Sequence, residues 1–377
     1  QALSSYKQPG DDAVREERER KVATELLGAM KEKQSTREKI VEGIKNPKNI
    51  VEGLGKVGGA EGVGEFEPQK FFGGINKKQT EDDLVKSLFV GTSTTTPSIN
   101  DISTDYPQPA LFFRLIILSF IVFYGFVFVF NQSPVPTAFI GIIITGSFAI
   151  PLATLLLFFE LNIRKNVPIW AVMRLGLLGG VLSFSLTIFI NNLIGIKGAW
   201  AAGITEELAK LIALILLTRN NRKHNYILNG LLLGAAVGFG FESFENAGYA
   251  FNAGVVGFYK YQDVGGVIDY IQFRALTTPL THILWTSVAG AALWRVKNGN
   301  KFKINLLKRK EFYAPFCLIS LCHIFWNSGP TSNDPISILK YMIIGLIAWI
   351  IALSLVNLGI KQIVDEKAGK PIFKDRN

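Results

Sequence analysis

Four carboxylates, two imidazoles, two amides and a lysine lie within long apolar stretches of this chain, and together they include the working parts of a hydrolase. They occur in four clusters: Glu206, Glu207 and Lys210; Phe241, Glu242, Glu245 and Asn246; His282; and His323 with Asn327. A charged side chain at the bilayer centre costs about 2.5–3.5 kcal/mol on insertion scales, so such groups normally face one another and mark a functional site. Spacing within each cluster supports this. Glu206 and Lys210 are i,i+4 neighbours, so the lysine can neutralise one carboxylate of the pair. His323 and Asn327 share a helix face, as do Phe241 and Glu245, while Glu242 is i,i+3 from Glu245. Only three histidines exist, and two are in apolar runs.

The elements that must position these groups are helices. A span needs roughly 20 apolar residues, and eight are expected at about 110–130, 137–159, 168–192, 199–218, 226–251, 271–294, 312–329 and 335–357. The fold class is therefore all-α: a polytopic transmembrane bundle over 110–360, a cytoplasmic polar extension over 1–109 and a cytoplasmic tail over 361–377. Basic residues alternate between loops. One set carries Arg164, Lys165, Arg219, Arg222, Lys223, the seven Lys and Arg of 295–310, and the tail; the other carries Lys197 and Lys260. By the positive-inside rule both termini are cytoplasmic. With that orientation and 1.5 Å of rise per residue, all four clusters fall between a few and about 16 Å below the external face. The site is expected in the outer half of the bilayer.

Composition excludes other classes. The chain has 377 residues, 49% of them hydrophobic, and a mean hydropathy of +0.28. Its net charge is +10, but basic residues cluster in short loops between the apolar runs, with no groove-reading motif, so nucleic-acid binding is not expected. Cys317 and Cys322 fall in one expected span on different sides of a helix, which offers neither a disulfide framework nor a CxxC metal knuckle. The chain starts on hydrophilic residues without a visible signal peptide. A solvated helix is expected over 12–35, and linker sequence over 53–75 and 92–109. The segment Ile40–Ile44 is echoed ten residues on by Ile50–Leu54. Arg174 and Arg274 are read as snorkelling to the two interfaces, Trp326 as an interface anchor, and His224 as a solvated loop residue.

The ordered set Glu206-Glu207-x-x-Lys210, Phe241-x-x-x-Glu245-Asn246-x-x-Tyr249, Arg274-x7-His282-x7-Gly290 and His323-x-x-Trp326-Asn327 resembles the PrsW family of intramembrane proteases, relatives of the type II CAAX prenyl proteases. The resemblance covers residues 135–330. It implies a multi-helix membrane protease that cleaves membrane-anchored proteins, the family's best-known role being the first cut of an anti-sigma factor in envelope-stress signalling. CAAX-type relatives carry histidine where this chain has Glu245, which points away from lipidated CAAX-like substrates. The N-terminal extension lies outside the resemblance.

Two arrangements of the same side chains serve peptide hydrolysis, with Glu206 or Glu207 as general base in both. In one, His282, His323 and Glu245 hold zinc, with a water in the fourth position. In the other there is no cofactor, and His323 with Asn327 donates to the oxyanion. Lys210, Phe241, Glu242 and Asn246 support the site. The expected partners are a single-span or membrane-anchored protein substrate and the lipid bilayer. Two other functions use the same buried groups: a proton-coupled transporter, which calls for broken helices and matching halves, and an inactive scaffold.

Overall fold

A computed structural model describes residues 20–21, 47–57, 66–195, 198–221, 223–256, 265–329 and 335–372. The chain divides into two units, Gln1–Gly53 and Leu54–Asn377. In the first, residues 20–21 and the start of the helix Pro47–Val57 are helical. The rest of the helix expected over 12–35, and the first copy of the echoed segment, lie outside the described residues.

The second unit is a helical bundle with no strand among its described residues. We name its helices α1 (Ala110–Gln132), α2 (Pro136–Leu161), α3 (Ile169–Ile194), α4 (Ala202–Thr218), α5 (Ile227–Val256), α6 (Gly265–Thr277), α7 (His282–Lys297), α8 (Lys310–Trp326) and α9 (Pro335–Lys367). Among the described residues, α1, α2, α3, α5 and α9 are long and apolar enough to cross a membrane, which does not establish the expected count of eight. Helices α4 and α8 have 17 residues each, about 25 Å against a hydrocarbon core of roughly 30 Å.

The expected span 271–294 is not one helix. It breaks at Thr278–Leu280 into α6 and α7, where Pro279 has no N–H to continue the ladder. The groups freed by the break find partners inside the protein, as buried backbone must. The Pro279 carbonyl accepts a 3.0 Å bond from the Trp349 indole of α9. The His282 amide donates to Glu242 of α5 at 3.1 Å. A second interruption, the π turn Thr145–Ala149 in α2, precedes Pro151, another residue lacking the helical donor.

Helix α5 is the buried axis of the bundle, and its glycines explain why. A Cβ on Gly238 would come within 2.6 Å of the His282 carbonyl oxygen, and one on Gly230 within 2.5 Å of Trp294 Cβ, so α7 lies almost backbone to backbone on this face. Gly179 and Gly180 of α3 approach Val237 and Gly240 on another face in the same way. This small-residue packing draws helices together in lipid, where hydrophobicity gives no net drive for association.

At one end of the bundle, polar clamps join distant segments. Asn229 Nδ2 donates to Asn162 Oδ1 at 3.0 Å, and Tyr226 OH donates to Glu366 Oε2 at 2.8 Å. Glu160 of α2 accepts the Leu111 and Phe112 amides at 2.9 and 2.8 Å. It thus caps an α1 whose own N-cap, Pro109, has no side chain that could do so. The segment 66–109 packs here too. It carries short helices at Pro68–Phe72 and Glu81–Leu88 and a Thr80–Asp83 capping box. It buries Phe71, Val90 and Ile102, and the Ile102 carbonyl accepts from Lys367 at 2.8 Å. The stretch 92–109 is therefore tied down at defined points.

Replacing Gly238 by Val is expected to cost about 1–3 kcal/mol through overpacking. Thermal unfolding in detergent should show a lowered midpoint, with Gly248→Val, which meets nothing within 4 Å, as the unaffected control.

Candidate active site

Four helices bring the polar clusters together. Glu206, Glu207 and Lys210 project from the first turns of α4, Glu242, Glu245 and Asn246 from the second half of α5, His282 from the start of α7, and His323 from the end of α8. All eight residues are buried, none more than 8% exposed. The two imidazole centroids are 4.9 Å apart.

Glu207 is fully engaged. Its Oε1 is 2.6 Å from Lys210 Nζ and 2.8 Å from His323 Nδ1. The lysine therefore neutralises Glu207 at i,i+3, and not its i,i+4 neighbour Glu206, because Glu207 is the carboxylate turned toward His323. Lys210 Nζ also lies 2.8 Å from His282 Nδ1 and 4.7 Å above the Phe241 ring. An ammonium has only protons to offer, so His282 Nδ1 accepts, and its Nε2–H donates to Glu245 Oε2 at 3.0 Å. By the same logic His323 donates from Nδ1 and keeps Nε2 as an open lone pair.

Glu206 differs. Its Oε2 is buried and has no hydrogen-bond partner. It lies 3.9 Å from His282 Nδ1 and 3.8 Å from His323 Nε2. Glu206, His282 and His323 are also the group whose donor atoms lie within 4.8 Å of one another and could hold a metal ion. The expected metal set had Glu245 in place of Glu206. In the structure Glu245 sits behind His282, hydrogen-bonded to it and ion-paired to Arg274.

Glu242 does structural work at the helix break. Its Oε2 accepts from Thr281 Oγ1 at 2.9 Å and from the His282 amide, and its Oε1 accepts from Asn246 at 3.3 Å. The residue therefore fixes where α7, and with it the His282 backbone, begins. Asn327 lies at the end of α8. It lines the cavity in front of the imidazoles, and its Nδ2 donates to the Ala199 carbonyl at 3.3 Å.

Several readings change. Arg274 does not snorkel; it points inward, pairs with Glu245, bonds to Asn246 and lies 4.0 Å from Glu242. Trp326 is partly buried and packs against Tyr341 at 4.4 Å and Trp285 at 5.8 Å. His224 is half-buried, 2.7 Å from Asn221, and burial pushes its imidazole below the ordinary range. Trp285 was missed, since nothing in its sequence context marks it. It is fully buried, stacked on His323 at 4.5 Å and edge-on to His282 at 5.2 Å.

A family model described as PrsW family intramembrane metalloprotease matches residues 151–355, more than half of the chain and including every cluster above. No curated protein and no solved structure matches.

Breaking the Arg274–Glu245 pair tests this account. Arg274→Met leaves a buried carboxylate uncompensated and is expected to cost about 3–5 kcal/mol. The double variant Arg274→Met, Glu245→Gln should recover much of that loss in detergent unfolding. Additive losses would show that the pair is not coupled.

Proposed function

This chain belongs to the PrsW family and is an intramembrane protease; from that premise we propose that Glu206 takes the proton from the water that attacks the scissile carbonyl. The observation that carries this reading is the buried, unpartnered Glu206 Oε2 facing two imidazoles. Glu207, Glu242 and Glu245 are each committed to cations or hydrogen bonds. A base must be free to accept.

In this mechanism the water oxygen bonds to the carbonyl carbon, its proton passes to Glu206, and the same proton then goes to the departing amine nitrogen as the C–N bond breaks. Asn327, at the cavity wall, donates to the oxygen of the tetrahedral species. Lys210 and Glu207 hold the charge balance behind the imidazoles. Arg274 and Glu245 fix the plane of His282.

The residues fit a divalent cation. Four buried carboxylates, Glu206, Glu207, Glu242 and Glu245, face two permanent cations, Lys210 and Arg274, which leaves a formal excess of two negative charges. Glu206 and His323 offer open donor atoms, and His282 Nδ1 offers a third once Lys210 yields its hydrogen bond. The other nitrogen of each imidazole rests on a carboxylate, an arrangement that orients metal-ligating histidines. In that arrangement Glu206 would be a ligand and not the base: zinc held by Glu206, His282 and His323 would supply a polarised water and a Lewis acid for the carbonyl.

The substrate in this proposal is a membrane-anchored, single-span protein cut near the external face in regulated intramembrane proteolysis, with both termini of the enzyme in the cytoplasm. Alternation of basic and charge-poor loops supports that orientation. The helix break at Thr278–Leu280 would also suit a transporter, but its freed groups are taken by Glu242 and Trp349 and are not left for a solute.

With a tagged single-span substrate, Glu206→Gln is expected to lower kcat by about 10²–10⁴ without lowering the unfolding midpoint. Glu207→Gln should lower the midpoint as well, by removing the partner of Lys210 and His323. Wild-type activity in Glu206→Gln would end this assignment. With Glu206 as the base, the metal-free protein is expected to be fully active; about one zinc ion per chain, lost together with activity in His323→Ala, would instead make Glu206 a ligand.

A further inference from the structure

In front of His282 and His323 lies a cavity of about 520 Å³. Helix α6 supplies one wall through Gly266, Asp269, Tyr270, Phe273, Arg274 and Thr277, a 3-and-4 spacing that places these residues on one helix face. Tyr249, Trp326 and Tyr341 line it from α5, α8 and α9.

Two properties of this cavity concern charge. Its aromatic wall already takes a guanidinium: the Arg274 side chain lies 4.9 Å from the Tyr249 ring centroid and 6.0 Å from that of Tyr270. Ring faces of this kind attract cations. Second, Arg274 is committed to Glu245, whereas Asp269 is exposed and has no hydrogen bond or ion pair among the described residues. Asp269 precedes Arg274 by five residues, about 7.5 Å along the helix axis. An extended peptide covers that distance in two to three residues.

We propose that this cavity binds a lysine or arginine side chain of the substrate, its cationic end on Asp269 and its stem along Tyr270 and the neighbouring rings, a few residues from the bond to be cut. This rests on the protease reading of the site and names its specificity. The requirement is selective, because external flanks of membrane spans are poor in Lys and Arg. Most single-span proteins would therefore lack the residue that docks them.

The test is binding to full-length Glu206→Gln protein in a nonionic detergent, which contributes no lipid amine to compete. The probes are fluorescent single-span peptides in which one lysine, or the uncharged isostere norleucine, is walked along the flank of the span. Lysine at one or two positions is expected to bind about tenfold more tightly than norleucine. Adding Asp269→Asn should bring that ratio close to one, and Asp269→Lys should make glutamate the preferred residue. A lysine preference absent at every position, or unchanged by Asp269→Asn, would overturn the proposal. Wild-type cleavage of the same peptides is followed separately. Lysine-selective binding without any cleavage would count against the protease reading and leave the docking site standing.

Discussion

Four carboxylates buried in an apolar bundle cannot be stabilised by water, so their compensation has to come from within the protein, and that requirement organises the rest of the structure. Glu207 has Lys210 and His323. Glu245 has Arg274 and His282. Glu242 has a helix N-terminus and the Thr281 hydroxyl. Lys210 shares α4 with Glu207, but the other partners come from other helices or turns, so satisfying the charges fixes how α4, α5, α6, α7 and α8 meet. Glu206 is the one left over, and chemistry is assigned to it for that reason.

Such compensation needs short distances, and the glycines of α5 provide them. With a methyl group at Gly238 the His282 backbone could not sit where Glu242 receives its amide. Packing and electrostatics are thus not separate contributions here. Close approach of α5 and α7 is what allows a carboxylate to cap a broken helix inside the bundle, where an uncapped end would leave donors without partners.

Much of this could be read in the sequence. The all-helical membrane class follows from apolar run lengths, the polar clusters from their rarity in such runs, and the family from their order, in agreement with the match over 151–355. What could not be read is which groups pair. Spacing on α4 makes both Glu206 and Glu207 possible partners for Lys210, and only the position of His323, over a hundred residues away, selects Glu207. Arg274 lies near a helix end, where snorkelling is the usual outcome; the break after Thr277, which makes α6 a separate helix facing inward, has only Pro279 as its local signal. Trp285 carries no charge and its neighbours are ordinary, so its place against both imidazoles has no trace in one dimension. The five long apolar helices were plain, whereas the 17-residue α4 and α8 show that a helix carrying site residues need not have the length of a full span.

Two polar clamps made by α9, one to Tyr226 and one at the helix break beside His282, bear on the order in which the protein is made. Tyr226, at the start of α5, waits 140 residues for Glu366, and the carbonyl of Pro279 at the helix break waits 70 for Trp349. Both partners belong to α9, as does Tyr341 in the cavity wall. During synthesis the imidazoles and carboxylates are therefore all made before Tyr341 closes the last part of the cavity wall. A nascent chain short of α9 holds every reactive group of the site but lacks Tyr341 of the cavity wall and both partners of these clamps, so the last helix made is the one that completes the enclosure.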